Sequence, residues 1–386
     1  MKTQELTLQV DAVNLRGRPV LGVKYKVLVG GEPVMEAKKA REGFQTISVH
    51  SPNGDVEIEA SLPGWKKQKI KVGPDTHRWA FEFPGAGVPA ILVVCALEKE
   101  SRAILDTCEK EARLPLVYRP AGDSNEYWVG EYAPDSSGGS RRRVLVATSG
   151  MGITGAAITA THALRSFPDD ITQILMVGIA GGCPNDQKAE THVRLGDIVV
   201  ANEAGVVQYD FIKKTIDADI RRANPHRPSA EMLGAARSLE MGRLNGDLPW
   251  EKVMSAVIMA KRRYARPPDS SDILHFGNKV LPHPKDSDRR PRKPRVHRGA
   301  IGSANILLKD PTLRDEIRDK YGARAMEMEG SGVIDAGWAV NKDVMVVRGI
   351  CDYCDAYKMD SWQAYAALAA AAYARSLVLA LTSPMP

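Results

Sequence analysis

Between residue 5 and about residue 84, apolar and polar positions alternate in short runs: ELTLQVDAV, GVKYKVLVG, QTISVHS, DVEIEASLPG, KKQKIKV and HRWAFEF. A period of two buries one face of a strand, and Gly, Pro, Asn and Asp punctuate the runs about every ten residues. The pattern predicts a small all-β sandwich over residues 1–85. The stretch Pro84-Gly85-Ala86-Gly87-Val88-Pro89 reads as a linker.

Beyond the linker the pattern changes to continuous apolar runs: ILVVCAL (91–97), VLVAT (144–148), ILMVGIA (174–180), DIVVA (197–201) and VMVVRGI (344–350). Such runs suit strands covered on both faces. Helical stretches at 99–110, 153–166, 309–320 and 361–381 separate them. Alternation of this kind predicts a layered α/β unit over residues 89–386. From 211 to 298 the pattern dissolves into polar, Pro- and Arg-rich sequence, read as a long basic insertion or flexible excursion, partly helical.

Composition limits the function classes. The 386 residues are 44% hydrophobic and 26% charged, and no run approaches the roughly 18 apolar residues of a membrane span. The N-terminus lacks the charged-then-apolar layout of a secretory signal, so the expected location is the cytoplasm. Five scattered cysteines fit reduced thiols better than a disulfide framework. Much of the net charge of +6 is concentrated in Lys261–Arg263 and in the run from Lys285 to Arg298, which makes anions plausible partners. That run has no interleaved aromatics and no nucleic-acid motif beside it, so nucleic acid is not the expected ligand.

The candidate chemistry lies at strand ends, where open α/β sheets bind ligands. Glu98 and Glu100 follow VVCAL, Glu327 and Glu329 sit in AMEMEG, and Asp352 follows VVRGI. Two Gly-rich turns, SGMG (149–152) and GIAGG (178–182), also follow strands, and the first leads into a helix whose free N–H groups suit a phosphate or ribose oxygen. Each feature alone is common: strand-end glutamates are often solvated, Met326 reads as core, and Cys351-x-x-Cys354 lacks the second pair of ligands that zinc requires.

Taken together, VGIAGG, RAMEMEG and VVRGICDYCD, in this order and spacing, resemble the nucleoside phosphorylase superfamily over roughly residues 89–386, which implies a three-layer αβα fold around a mixed sheet. CALEKE resembles the opening of the methylthioadenosine/S-adenosylhomocysteine nucleosidases, whose corresponding acid activates water. The resemblance implies Glu100 as water activator, Met328 under the ribose, Glu329 on the ribose hydroxyls and Asp352 facing purine N7. Ala180 and Gly181, with Asn305 and Ile306, would line the base pocket, and Gly152 would belong to the phosphate or ribose turn. Phosphorylases usually carry Gly-Asp-Pro and an arginine where this chain has Ala-Leu-Glu-Lys-Glu. A carboxylate there repels phosphate and suits hydrolysis, although the nearby Arg102 keeps phosphorolysis open.

The C-terminal run from VVRGI onward resembles a branch fused to signalling or NLR-like immune proteins, some of whose relatives cleave ATP. An adenine nucleotide is therefore the expected substrate, with Arg295, His297 and Arg298 available for its phosphates. A methylthioadenosine-type nucleosidase, a phosphorylase and a non-catalytic nucleotide sensor are the alternatives. The resemblance implies a homo-oligomer and no metal or other cofactor. The β domain is open to three roles, sensing a ligand, recruiting a partner or supporting assembly, and a regulatory role is the expectation.

Overall fold

A computed structural model describes residues 4–13, 20, 23–38, 45–51, 55–62, 67–73, 78–82, 90–109, 116–118, 123–134, 141–168, 170–216, 218–222, 226–357 and 360–381. The chain divides into two compact units, residues 1–89 with 116–124, and residues 90–115 with 125–386. The predicted linker at 84–89 lies outside the described residues.

The first unit holds β1 (Gln4–Val13), β2 (Lys24–Val29), β3 (Glu32–Lys38), β4 (Gln45–Ser51), β5 (Val56–Ser61), β6 (Gln68–Val72) and β7 (Arg78–Glu82). They form two sheets, ordered β4-β1-β7 and β3-β2-β5-β6. Leu8, Val10, Ala12 and Phe81 from the first sheet share one apolar core with Tyr25, Val27, Ile58 and Val72 from the second. Strand β3 does not show in the apolar pattern, because EPVMEAK carries Pro33 and two glutamates; as an edge strand it tolerates both. Gly30 and Gly31, both at positive φ, supply the tight turn that joins it to β2.

In the second unit the principal strands are β8 (Ala90–Cys95), β9 (Tyr127–Tyr132), β10 (Arg142–Thr148), β11 (Ile171–Gly182), β12 (Ile198–Gln208), β13 (Val296–Ser303), β14 (Ala323–Glu327) and β15 (Asp343–Asp352). Their spatial order is β14-β13-β12-β15-β11-β8-β10-β9. Strands β8, β10, β11 and β15 are mutually parallel, whereas β12 runs antiparallel to β15 and β9 to β10, so the sheet is mixed as expected. All of β8 is buried, and so is all of β15 after Asp343, which accounts for their unbroken apolar runs.

The helices are α1 (Glu98–Asp106), α2 (Ile153–Ser166), α3 (Ala230–Leu244), α4 (Pro249–Ala260), α5 (Pro311–Tyr321), α6 (Gly330–Trp338) and α7 (Gln363–Ala380). Helices α1, α3 and α4 gather on α7, α2 pairs with α6, and both α6 and α7 rest on the sheet. Residues 211–298, expected to be an excursion, are largely folded. They contribute α3, α4, two short hairpins and the start of β13, and Trp250 of α4 packs on Tyr373 of α7 with ring centroids 5.3 Å apart. Polar interruptions such as VHRGAIGS and ARAME hid β13 and β14 from the sequence pattern.

Helix α7 can lie directly on β15 because its run of buried alanines keeps its surface low, and because Gly349 presents no side chain. A β-carbon on Gly349 would overlap the backbone carbonyl of Ala366. Gly349→Ala is therefore expected to cost about 1–3 kcal/mol or more of stability, measured by chemical denaturation; an unchanged midpoint would contradict this packing.

Candidate active site

The sheet partly closes on itself, and this closure assembles the acids. Strand β14 pairs with β13 on one side and, through Gly181 opposite Met326 and Gly182 opposite Ala325, with the far end of β11 on the other. The chain leaving β14 is thereby brought beside the C-terminal ends of β11 and β15. Glu327 and Glu329 arrive from β14, Asp352 from β15, and Glu100 from the first turn of α1 after β8.

Glu100 is buried and fixed by backbone. One carboxylate oxygen accepts the N–H groups of Ala96 (2.9 Å) and Leu97 (2.8 Å), and the other accepts Ile179 N–H (2.7 Å). A carboxylate has about four lone-pair sites, so roughly one remains for a further donor such as water. Burial raises its pKa above the ordinary carboxylate value, while Arg348 and the three N–H groups oppose the rise. Glu98, two residues earlier, is exposed.

Arg348 is the cation among these acids, and its side chain is fully buried within the apolar strand β15. It bonds Glu327, lies 3.4 Å from Glu329, and faces the field of Glu100. Burial works against its charge, but the three glutamates together hold its pKa above the ordinary value. Glu327 also accepts the N–H groups of Glu329 (3.1 Å) and Gly330 (2.8 Å), closing the start of α6. Glu329 accepts Gly152 N–H at 3.0 Å and Met328 N–H at 3.3 Å. Burial first, then the negative neighbours Glu327 and Glu100 against the pull of Arg348, lift Glu329 to about 7. Gly178 makes room for the cluster: a β-carbon there would stand 2.5 Å from both Arg348 Nη1 and Glu100 Oε1.

Asp352 is buried, accepts Cys354 N–H at 2.9 Å, and receives the Cys351 thiol at 3.3 Å. With Glu100, Glu327 and Glu329 it lines a cavity of about 260 Å³, whose remaining wall is mainly apolar or sulfur-bearing. Ala180, Gly181, Ile306 and Met328 line it too, as do Met326, Met151, Leu97 and Gln363. Among the described residues, no group of acids, histidines and cysteines has the makings of a metal site.

Other expected positions fall elsewhere. Gly152 and Asn305 meet at the rim, where Asn305 Oδ1 accepts Ile153 N–H at 2.9 Å. Arg102 is largely exposed and pairs with Asp106 at 3.6 Å. His297 is buried against Asp197 at 3.0 Å, and Arg298 pairs with Glu203 at 3.3 Å. Strand β13 runs from Val296 to Ser303 toward the site, so its first residues are held away from it. Arg295 pairs with Asp286. None of these four basic residues lines the cavity, in contrast to the expectation that Arg102, His297 and Arg298 would serve the substrate. Conversely, sequence reading left Arg348 without a role; Met326, read as core, does belong to an apolar core cluster and also forms part of the cavity wall. A charged residue inside VMVVRGI was the available signal for Arg348, since a buried charge requires partners.

An αβα protein with a carboxylate-lined cavity at the strand ends of its mixed sheet is built to hold a small polar ligand. A family model described as the phosphorylase superfamily matches residues 90–381, and the chain belongs to that superfamily. It is 32% identical over 308 residues to a nucleotide-binding leucine-rich repeat (NLR)-like protein of Hyaloscypha variabilis, a match covering 75% of this chain but only 29% of that protein. It is 25% identical to the 5'-methylthioadenosine/S-adenosylhomocysteine nucleosidase of Mycobacterium bovis, across 66% of this chain and 88% of that enzyme. A shorter match, 36% identical over 77 residues, is to ATP nucleosidase Cap17 of Escherichia coli, covering 20% of this chain and 15% of that protein. Among solved structures, the Neisseria meningitidis 5'-methylthioadenosine/S-adenosylhomocysteine nucleosidase in complex with methylthio-immucillin-A aligns with a TM-score of 0.50 at 16% identity, covering 76% of this chain and all of that one, which speaks to the fold alone.

The electrostatics of Glu329 make a pH prediction. Its folded-state pKa of about 7 exceeds that of an exposed glutamate, so between roughly pH 4.5 and 7 the folded state binds more protons than the unfolded state. Stability therefore falls as pH rises through that window. Glu329→Gln should flatten this fall in denaturation series between pH 4.5 and 8; an equally steep decline in the variant would contradict the assignment.

Proposed function

We propose that this chain is a hydrolase that cleaves the N-glycosidic bond of a purine nucleoside or nucleotide. The observation that carries the reading is the convergence of Glu100, Glu329 and Asp352 on one cavity, each held by different backbone partners. Cleavage leaves positive charge on the sugar and negative charge on the departing base, so one site must stabilise both. In this reading Glu100, raised by burial and with a lone pair unfilled, accepts the proton of an attacking water. The water oxygen bonds to the anomeric carbon as the C–N bond electrons pass to the purine. Asp352 supplies a proton at N7, and Glu329 holds the ribose hydroxyls with Met328 beneath the sugar. No cofactor takes part.

An adenine nucleotide, ATP foremost, is the proposed substrate, supported by the short match to an ATP nucleosidase and the longer one to an NLR-like protein. Lys99 fits this reading, since it is tied to the lining residue Gln363 at 2.5 Å and could turn toward a phosphate. A second reading, a methylthioadenosine-type nucleosidase, is favoured by a specific observation: among the described residues no cationic side chain lines the cavity, whereas Met151, Ile306, Leu307 and Leu308 do. We further propose a cytoplasmic homo-oligomer in which the exposed Met151, Ile306 and Leu307 meet a neighbouring subunit. The β unit would then restrain the enzyme until a partner or ligand binds, as an immune effector that destroys ATP would require.

The test is incubation with ATP, AMP, adenosine and methylthioadenosine, with and without phosphate, followed by assay of free base. Release of adenine from ATP without phosphate is expected. Glu100→Gln and Asp352→Asn should each reduce it by about 10²–10⁴-fold while retaining a cooperative thermal unfolding transition, its midpoint lowered because the new amide NH2 faces a backbone or thiol donor. Undiminished release in both variants would overturn the mechanism.

A further inference from the structure

A second cavity, of about 460 Å³, opens in the segment between β12 and β13 and is larger than the acid-lined one. Its walls come from the turn before β12, from residues 266–272, from residues 283–294 and from Tyr365 of α7. Its lining is mainly basic: Arg and Lys side chains outnumber the three acids Asp269, Asp272 and Asp286, the last of which pairs with Arg295. Asp269 must serve two cations, bonding Arg266 and lying 3.4 Å from Arg292. Glu251, beside the cavity, likewise serves Arg290 and Lys293, the latter at 3.6 Å. Each of these acids can neutralise one of its two partners, and the exposed Lys285 has no acidic partner among the described residues. The rim therefore carries uncompensated positive charge converging on an open volume, where a multiply charged anion gains most.

The floor is held by buried ion pairs and is joined to the acid-lined site. Arg289 clasps buried Asp197 through two bonds of 2.6 and 2.9 Å, and Arg194 clasps buried Asp272 through bonds of 2.7 and 2.8 Å. Asp272 also accepts the hydroxyl of buried Tyr353, the residue directly after Asp352. Asp197 O in turn accepts Ile350 N–H at 2.8 Å, two residues before Asp352. A charge drawn to Arg194 would weaken its hold on Asp272 and so reach Tyr353 through a single hydrogen bond.

We infer that this cavity is a second binding site, for a small molecule carrying a di- or triphosphate chain, whose occupancy is relayed to Asp352 through Asp272 and Tyr353. The phosphate chain is the recognised chemistry, whether it belongs to a nucleotide or stands free. The inference does not depend on the reaction proposed for the acid-lined cavity, because binding can be read without turnover.

The experiment is calorimetric titration of the full chain with inorganic tripolyphosphate and, separately, with CTP, which lacks a purine. Both should bind, with affinity falling steeply as salt rises. Arg292→Glu and Lys285→Glu should each weaken binding roughly tenfold without altering thermal unfolding, Arg292→Lys should largely preserve it, and Glu100→Gln should leave it unchanged. Equal affinity for the two probes assigns the site to the phosphate chain alone, and tighter CTP binding assigns it to a nucleotide. Tripolyphosphate should also change the rate of base release from adenosine in the parent chain and not in a variant carrying both Arg292→Glu and Lys285→Glu. Absence of binding, or binding insensitive to both charge reversals, would overturn the site; binding with no effect on that rate, in a chain that does release base, would overturn the relay.

Discussion

One buried guanidinium decides how the acids of this protein coexist. Arg348 sits inside a strand with its side chain fully buried, and three glutamates from two distant parts of the chain face it. Burying a carboxylate without a partner costs several kcal/mol, so three of them require either a cation or retained protons. The cluster uses both. Glu327 takes the ion pair with Arg348, while burial pushes Glu100 and Glu329 toward the protonated form, Glu329 to about 7. A site at this balance can gain or release a proton near neutrality, which is what acid–base chemistry on a ribosyl bond needs.

The backbone arrangement follows from the same constraint. Arg348 and Glu100 meet over Gly178 because any side chain there would occupy their space. Gly181 is needed for a similar reason, since a β-carbon would overlap Cys354 Sγ and stand 2.8 Å from Asp352 Oδ1. The motif GIAGG is therefore as much a clearance for charged side chains as a turn. Antiparallel pairing of β14 with the end of β11 then fixes the distance between the glutamates and Asp352, so sheet closure and site assembly are one event.

Much of this was legible in the sequence. Unbroken apolar runs gave β8, β10, β11, β12 and β15, and helix α2 falls at 153–166 as its pattern predicts. The acids at the strand ends were visible as charges directly after those runs. What was hidden involves residues whose environment only the tertiary structure supplies. Strands β13 and β14 carry Gly, His and Arg where a strand pattern calls for apolar residues, because their neighbours satisfy those groups. Arg298 and His297 looked like phosphate ligands from their place just before the base-pocket segment, yet strand direction holds both away from the cavity, and each is paired with an acid there, His297 with Asp197 and Arg298 with Glu203. The basic segment at 266–294, read as an excursion, became meaningful only once its charges were seen to surround a single opening.

The central claim is that these acids direct water to the anomeric carbon of a purine ribosyl group. It is tested most directly by incubating the full chain with ATP in ¹⁸O-labelled water and identifying the products by mass spectrometry. The account predicts unlabelled adenine and a ribose phosphate carrying the label at its anomeric carbon. Label found in released inorganic phosphate, with the base still attached to its sugar, would contradict it.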